Sequence, residues 1–237
     1  MKLSEIYRSR QGEGLLAGTP SVFVRTSWCN LRCWFCDTPF TSWTPEGSDL
    51  SVDEVVSQVA EWDCRHVVLT GGEPMLWAEL IPLAAALREM GRHITIETAG
   101  TLYLPVVCDL MSISPKLANS TPTREHAGHA AGRESAGRWR RRHERTRHAP
   151  EVIRRLIGES AYQFKFVIDQ PDDCRDVERY LAELPQIDRS RVLLMPQGTD
   201  AASLAERGEW LRPYCREHGL GYCPRRHIEW FGPVRGT

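Results

Sequence analysis

HVVLTGGEP, residues 66–74, is a run of strand-forming residues stopped by a glycine pair, an acid and a proline. Val67, Val68 and Leu69 are apolar in succession, as in a strand covered on both faces. Before it, SVDEVVSQVAEW (51–62) opens with a capping box, Ser51 and Glu54, and sets Val52, Val55, Val56 and Val59 on one helical face. After it, MLWAELIPLAAALREM (75–90) carries a helical pattern that Gly91 is suited to end as a left-handed cap. A strand held between helices is the unit of a parallel crossover sheet.

The pattern repeats outward. Strands are expected at about 20–25, 93–98, 106–113, 163–169 and 191–195, and further helices at about 172–184 and 200–218. This predicts an α/β chain: one domain, residues 1–237, built as an incomplete TIM-like barrel of about six mainly parallel strands. Such sheets bind ligands at the carboxyl ends of their strands. The chemically unusual residues fall there: Thr70 to Pro74, Glu97 to Gly100, Ser114-Pro115-Lys116 and Met195 to Gly198.

With 41% hydrophobic residues, 26% charged residues and a net charge of −1, the 237-residue chain has the composition of a globular protein. The N-terminus lacks an apolar leader, and no window approaches the roughly 18 apolar residues of a membrane helix, so a cytoplasmic protein with no membrane partner is expected. The charge is uneven. Residues 119–150 hold eight Arg and three Glu, a net of +5, which leaves 5 fewer than −1, or −6, for the rest. This Arg-rich segment has almost no core residues and is expected to be a flexible, solvated insertion; its RWRRRHERTRH stretch could also hold phosphates, with Trp139 to stack on a base.

Of eight cysteines, three are bunched in CNLRCWFCDT (29–38), at Cys29, Cys33 and Cys36. Thiolates at that spacing bind soft metals, zinc or iron–sulfur. Structural zinc wants a second ligand pair. None follows, because the other cysteines are scattered and the nearest histidines to one another (126, 129, 143, 148) lie in the basic insertion. Three close ligands leave a metal position open for substrate or cofactor.

CxxxCxxC with Phe35 before the last cysteine resembles the signature of radical S-adenosylmethionine enzymes, and Gly71-Gly72-Glu73-Pro74 resembles that superfamily's GGEP motif. Together with IYRSRQGEG (6–14), SVFVRTSWCNLRCWFCDT (21–38), SISPK (112–116) and CPRRHIEWFG (223–232), the chain is similar, outside the insertion, to the 7-carboxy-7-deazaguanine synthase family of queuosine and 7-deazapurine biosynthesis. The resemblance implies a 4Fe-4S cluster on the three cysteines, S-adenosylmethionine on its open iron, and Mg²⁺. It implies a lyase that contracts 6-carboxy-5,6,7,8-tetrahydropterin to 7-carboxy-7-deazaguanine with loss of ammonia. A 5′-deoxyadenosyl radical would take hydrogen from the substrate and later return it. An electron donor such as flavodoxin or ferredoxin and a homodimer are further implications.

Residue roles follow from the same resemblance. Gln11, Gly12 and Glu13 of QGEG would meet the pterin's polar edge, Arg25 its carboxylate, and His227 would close the site, with Thr70 and Thr98 touching substrate. Thr38 would be the Mg²⁺ ligand, with Asp37 supporting its loop. Phe35, Gly72, Glu73, Ser114, Lys116, Lys165 and Gln197 would contact the cofactor, Glu73 through the methionine ammonium. Trp28 departs from the small residue usual before the first cysteine. Two rivals make different demands. A glycyl-radical activase would have no use for a pterin pocket, and a zinc-stapled nucleic-acid-binding module would be colourless and bind RNA or DNA with strong salt dependence.

Overall fold

The computed structural model describes residues 1–123 and 133–237. Strands β1 (Lys2–Arg10) and β2 (Pro20–Thr26) form an antiparallel pair that introduces the sheet. Four-residue α1 (Pro39–Ser42) and two-residue β3 (Ser48–Asp49) follow. Then come α2 (Val52–Ala60), β4 (His66–Gly71), α3 (Leu80–Glu89), β5 (His93–Thr98) and β6 (Leu110–Ile113). The second half holds α4 (Arg133–Thr146), α5 (Pro150–Glu159), β7 (Tyr162–Ile168), α6 (Pro171–Glu183), β8 (Val192–Pro196), α7 (Ala201–Glu217), β9 (Gly221–Tyr222) and α8 (Arg226–Phe231).

All strands join one open sheet in the order β3-β1-β2-β4-β5-β6-β7-β8-β9, parallel from β2 through β9. The six expected strands are present, and β1, β3 and β9 extend the edges. β1 escapes a sequence reading because a bulge between Leu3 and Glu5 breaks its period-two alternation. The fourth expected strand starts late, at Leu110, because the Asp109 carboxylate accepts the Ile94 amide at 2.7 Å just before the ladder begins. α5 is not among the expected helices, although Val152, Ile153, Leu156 and Ile157 have helical spacing; Ile153 and Leu156 are buried. Among the described residues no helix is long and apolar enough to cross a membrane.

The sheet sorts its side chains by parity. Val22, Val24, Val67, Leu69, Ile94, Ile96, Ile113, Phe164, Phe166 and Leu194 join one apolar cluster with Val55, Val59, Leu83, Leu87, Val177 and Leu211 from the covering helices. Removing one such side chain, as in Leu83→Ala, costs about 2–5 kcal/mol. The alternate positions face the other way and carry Arg25, Thr70, Glu97, Ser112, Gln163 and Lys165, which the ladder sets side by side: Arg25 opposite Thr70, Glu97 opposite Ser112, Ser112 opposite Gln163. A polar row on the cavity side of a parallel sheet makes no contribution to the core and marks the site.

Candidate active site

The cluster-loop segment leaves β2 and passes over the end of β4. Its approach is so close that a Cβ on Gly71 would stand 2.1 Å from the Thr26 carbonyl oxygen, and one on Gly72 would stand 2.0 Å from that of Trp28. Gly71 also has φ 121°. These two glycines are therefore steric requirements of the crossing rather than a generic turn. Trp28 takes φ 75°, alone among the described non-glycine residues, and its carbonyl accepts the Glu73 amide at 2.9 Å.

Beyond that crossing, the cavity at the strand ends has a volume of about 360 Å³, within the range of small-molecule sites. Cys29, Cys33, Phe35, Cys36 and Thr38 line one end of it. The Ser42 hydroxyl lies 3.2 Å from Cys36 Sγ, and the Trp43 indole donates to the Cys33 carbonyl at 3.0 Å, which fixes the loop's exit. Burial pushes all three thiols up, Cys33 to about 12. They stay protonated at neutral pH until a metal takes the proton's place. Three soft donors on one short loop, close enough to influence each other's charge, fit an iron–sulfur cluster with one open iron.

The same cavity also holds a network of paired charges, which meets the cysteine loop at Asp37. Lys165 Nζ donates to Glu13 Oε2 at 3.0 Å and to Glu97 Oε1 at 2.8 Å, and Thr70 Oγ1 donates to Glu97 Oε2 at 2.8 Å. Arg225 donates to Glu13 at 3.2 Å, to the Gly198 carbonyl at 2.5 Å and to Asp37. Burial alone would raise the Glu13 carboxyl, but Lys165 and Arg225, with His227, outweigh it and hold the group well below its ordinary value. For Glu97, Lys165 likewise overcomes burial, and the lysine in turn is raised. Both carboxylates are ionised acceptors facing the cavity. Ligand atoms of Glu13, Asp37 and His227 lie within 4.8 Å of one another, a spacing that a metal could use, but Arg225 already supplies positive charge there.

The cavity wall brings together most of the residues expected from sequence: Gln11, Gly12, Glu13, Arg25, the three cysteines, Phe35, Asp37, Thr38, Thr70, Gly72, Thr98, Ser114, Lys116, Lys165, Gln197 and His227. Their partners differ from expectation at several points. Glu73 is fully buried behind the wall, where Thr98 Oγ1 and the amides of Met75 and Ala99 donate to it at 2.8–3.1 Å. Arg25 donates through Nε to Glu5 at 2.7 Å and through a terminal nitrogen to the Tyr7 hydroxyl at 2.6 Å. Lys165, expected at the cofactor, sits in the Glu13–Glu97 network. Lys116 turns onto Ser114, with 2.6 Å between Nζ and Oγ. His227 lies over Gly12, where a Cβ would meet it at 2.3 Å.

Sequence reasoning marks Glu97 at a strand end but gives it no role, and it passes over Arg225. Glu97 had a signal, an acid amid the apolar alternation of HITIET. Arg225 stood beside Arg226 in CPRRHI, and only the fold separates them: Arg225 is 6% exposed, whereas Arg226 faces outward.

The segment read as a solvated insertion differs more. Residues 124–132 lie outside the described residues, but α4 docks on the cluster loop through a fully buried His143. The Arg32 amide donates to His143 Nδ1 at 3.1 Å, and the other ring nitrogen is 2.9 Å from Ser120 Oγ, whose own proton goes to the Leu117 carbonyl. Trp139, expected to be open for a base, has the Arg32 guanidinium 3.9 Å from its ring centre.

A radical SAM superfamily model matches residues 23–157. The chain is 44% identical to the 7-carboxy-7-deazaguanine synthase of Rhodopirellula baltica, over 99% of this chain and 88% of that one. It is 43% identical to the Halobacterium salinarum synthase, over 96% and 89%. The crystal structure of QueE from Escherichia coli shares the fold with a TM-score of 0.69 at 22% identity, covering 95% of this chain and 94% of that one. Near-full-length identity of this kind, on a cavity lined by three thiols and by ionised carboxylates, makes the chain a member of the 7-carboxy-7-deazaguanine synthase family of radical S-adenosylmethionine enzymes.

Proposed function

We propose that the cavity converts 6-carboxy-5,6,7,8-tetrahydropterin to 7-carboxy-7-deazaguanine with loss of ammonia. The observation that carries the reading is the joining, in one cavity, of a three-thiol loop with the Glu13–Lys165–Glu97 network. Cys29, Cys33 and Cys36 would hold the 4Fe-4S cluster. When bound, the cluster and S-adenosylmethionine supply the one-electron chemistry that produces a carbon radical able to take hydrogen from the substrate. Ser42 is placed to donate to the Cys36 thiolate, and Phe35, Ser114, Lys116 and Gln197 line the space the cofactor would fill.

The pterin's pyrimidine edge presents N–H donors, and two ionised carboxylates are the acceptors it requires. Glu13 and Glu97 take that role, with Gln11, Thr70 and His227 beside them. Lys165 keeps both charged through substrate binding and release. Its pairing costs no added ordering when the substrate enters, because the network is already assembled. Thr98 acts by holding Glu73, and so the wall behind the cofactor. The substrate carboxylate approaches Arg25, already paired with Glu5. An added dication therefore offsets its charge better than the arginine alone, which supports Mg²⁺ at Thr38, a hydroxyl on the cavity wall. A cytoplasmic homodimer reduced by a separate carrier protein completes the reading.

The test is anaerobic turnover of the reconstituted, reduced protein with 6-carboxytetrahydropterin, S-adenosylmethionine and Mg²⁺, followed by mass spectrometry. Product at the mass of 7-carboxy-7-deazaguanine, over many cycles without matching loss of cofactor, is expected. Accumulation of 5′-deoxyadenosine while the pterin survives would sink the substrate assignment and point to a glycyl-radical partner.

A further inference from the structure

Helix α4 has two faces, and the reaction accounts for neither. Trp139 and His143, four residues apart, turn inward onto the cluster loop, as the contacts of Arg32 with both show. Arg138, Arg141, Arg142 and Arg145, spaced three, one and three residues apart, form a second, outward face, all exposed and surrounding a shallow concavity of about 450 Å³. No described carboxylate pairs with them. Glu144 is taken by Arg147 and Thr121.

The position of this face matters as much as its charge. Arg32 lies between Cys29 and Cys33 in sequence, donates to the Cys29 carbonyl at 2.7 Å, and stacks on Trp139; Arg142 approaches the same indole, its guanidinium 5.2 Å from the ring centre. One aromatic ring thus separates the basic surface from the backbone of the cluster ligands. The remainder of the chain is net negative, so an acidic macromolecule is repelled elsewhere and attracted here.

We propose that the arginine face of α4 is the docking surface for the acidic one-electron carrier protein that reduces the cluster. This rests on the reading that Cys29, Cys33 and Cys36 hold that cluster. With a flavin carrier, the anionic hydroquinone gives up one electron and becomes the neutral semiquinone. The cluster gains that electron, and no proton or group is transferred. RNA fits the same charge less well, because Arg32 and Arg142 occupy the indole that would stack on a base.

The experiment compares reconstituted wild type with R138E/R141E/R145E, leaving Arg142 against Trp139. Equal iron content and visible absorbance are checked first; a wild type that binds no iron through its three cysteines overturns the cluster reading and the proposal with it. Binding of fluorescently labelled flavodoxin and the stopped-flow rate of cluster bleaching by flavodoxin hydroquinone are then measured against salt. The expected result is about a tenfold or greater rise in Kd and fall in the second-order rate at low salt, with a flattened salt dependence. Bleaching by dithionite, which needs no docking, stays within about twofold. R138K/R141K/R145K keeps the charge and restores both readouts. If circular dichroism shows that the reversed variant loses helix, R141Q/R145Q carries the same comparison with an expected change of about threefold. Unchanged flavodoxin binding and bleaching in a folded variant overturn the proposal. So does loss of binding to a transfer RNA probe, or of self-association in sedimentation, with flavodoxin kinetics intact.

Discussion

The cavity floor on the sheet and helix α4 both carry dense charge, yet they use it in opposite ways. On the floor, Lys165, Glu13, Glu97 and Arg225 neutralise one another in a largely buried network whose geometry is set by strands β5 and β7, the loop after β1 and the start of α8. On α4, four arginines stand exposed without described carboxylate partners, and the helix is held by the buried His143, the Trp139 ring and the Thr121–Glu144 hydrogen bond. The difference teaches that charge density in a sequence says little until burial is known. Paired and buried charge defines a ligand's shape and polarity, while unpaired, exposed charge on a thinly anchored helix favours a large, mobile partner.

The comparison is broken most severely at the floor. Lys165→Met leaves the partly buried Glu13 and Glu97 without their shared cation while Arg225 still pairs with Glu13, and a loss of about 1–3 kcal/mol in urea unfolding is expected. A loss under about 1 kcal/mol would mean that the network is far more solvated than its burial implies. In the wild type, Glu13 and Glu97 have folded values below their ordinary 4.5. Their contribution is complete above that value and drains away as pH falls through the folded values, so acid unfolding that begins near the ordinary carboxylate range should shift upward when either pairing is removed.

His143 sharpens the comparison at the other region. Its Nδ1 must be unprotonated to accept from Arg32, and burial lowers the ring from 6.5 to about 4. A base with a lowered folded value stabilises the fold above pH 6.5 and loses that contribution as pH falls toward about 4. Amide exchange in α4 should therefore accelerate across this window while the strands stay protected. His143→Ala should remove the pH dependence and cost about 1–3 kcal/mol. Equal protection of α4 at both ends of the window would contradict the anchoring role. Smallest of all, Arg140→Ala, on an exposed position of the same helix, should change stability by no more than about 0.5 kcal/mol, checked by thermal melting.

Much of the floor was legible because strand parity and strand ends are written in the sequence. Thr70, Glu97, Ser114, Lys116 and Gln197 stand where an apolar run stops or is interrupted, and the thiol spacing names its own chemistry. What could not be read was pairing across long separations. Lys165 meets Glu13 from 152 residues away, and Arg225 reaches Asp37 across 188. Local pattern assigns such residues a place but no partner. α4 misled for a related reason: an amphipathic helix whose inner face is one Trp and one His looks polar throughout, since neither counts as core until the Arg32 amide and guanidinium are seen against them. Trp28 was noticed as unusual, and its positive φ now gives that oddity a backbone meaning.

The central claim is that one cavity has a thiol end serving radical formation and a carboxylate end serving the pterin. Its most direct measurement is the ratio of 7-carboxy-7-deazaguanine to 5′-deoxyadenosine produced by reconstituted Glu97→Gln, beside its cluster absorbance and its affinity for S-adenosylmethionine. The account predicts an intact cluster, unchanged cofactor binding and a product ratio reduced by about tenfold or more, as expected for loss of a charged hydrogen-bond acceptor. Equal product ratios in variant and wild type, or a parallel loss of cofactor binding, would contradict the division of the cavity.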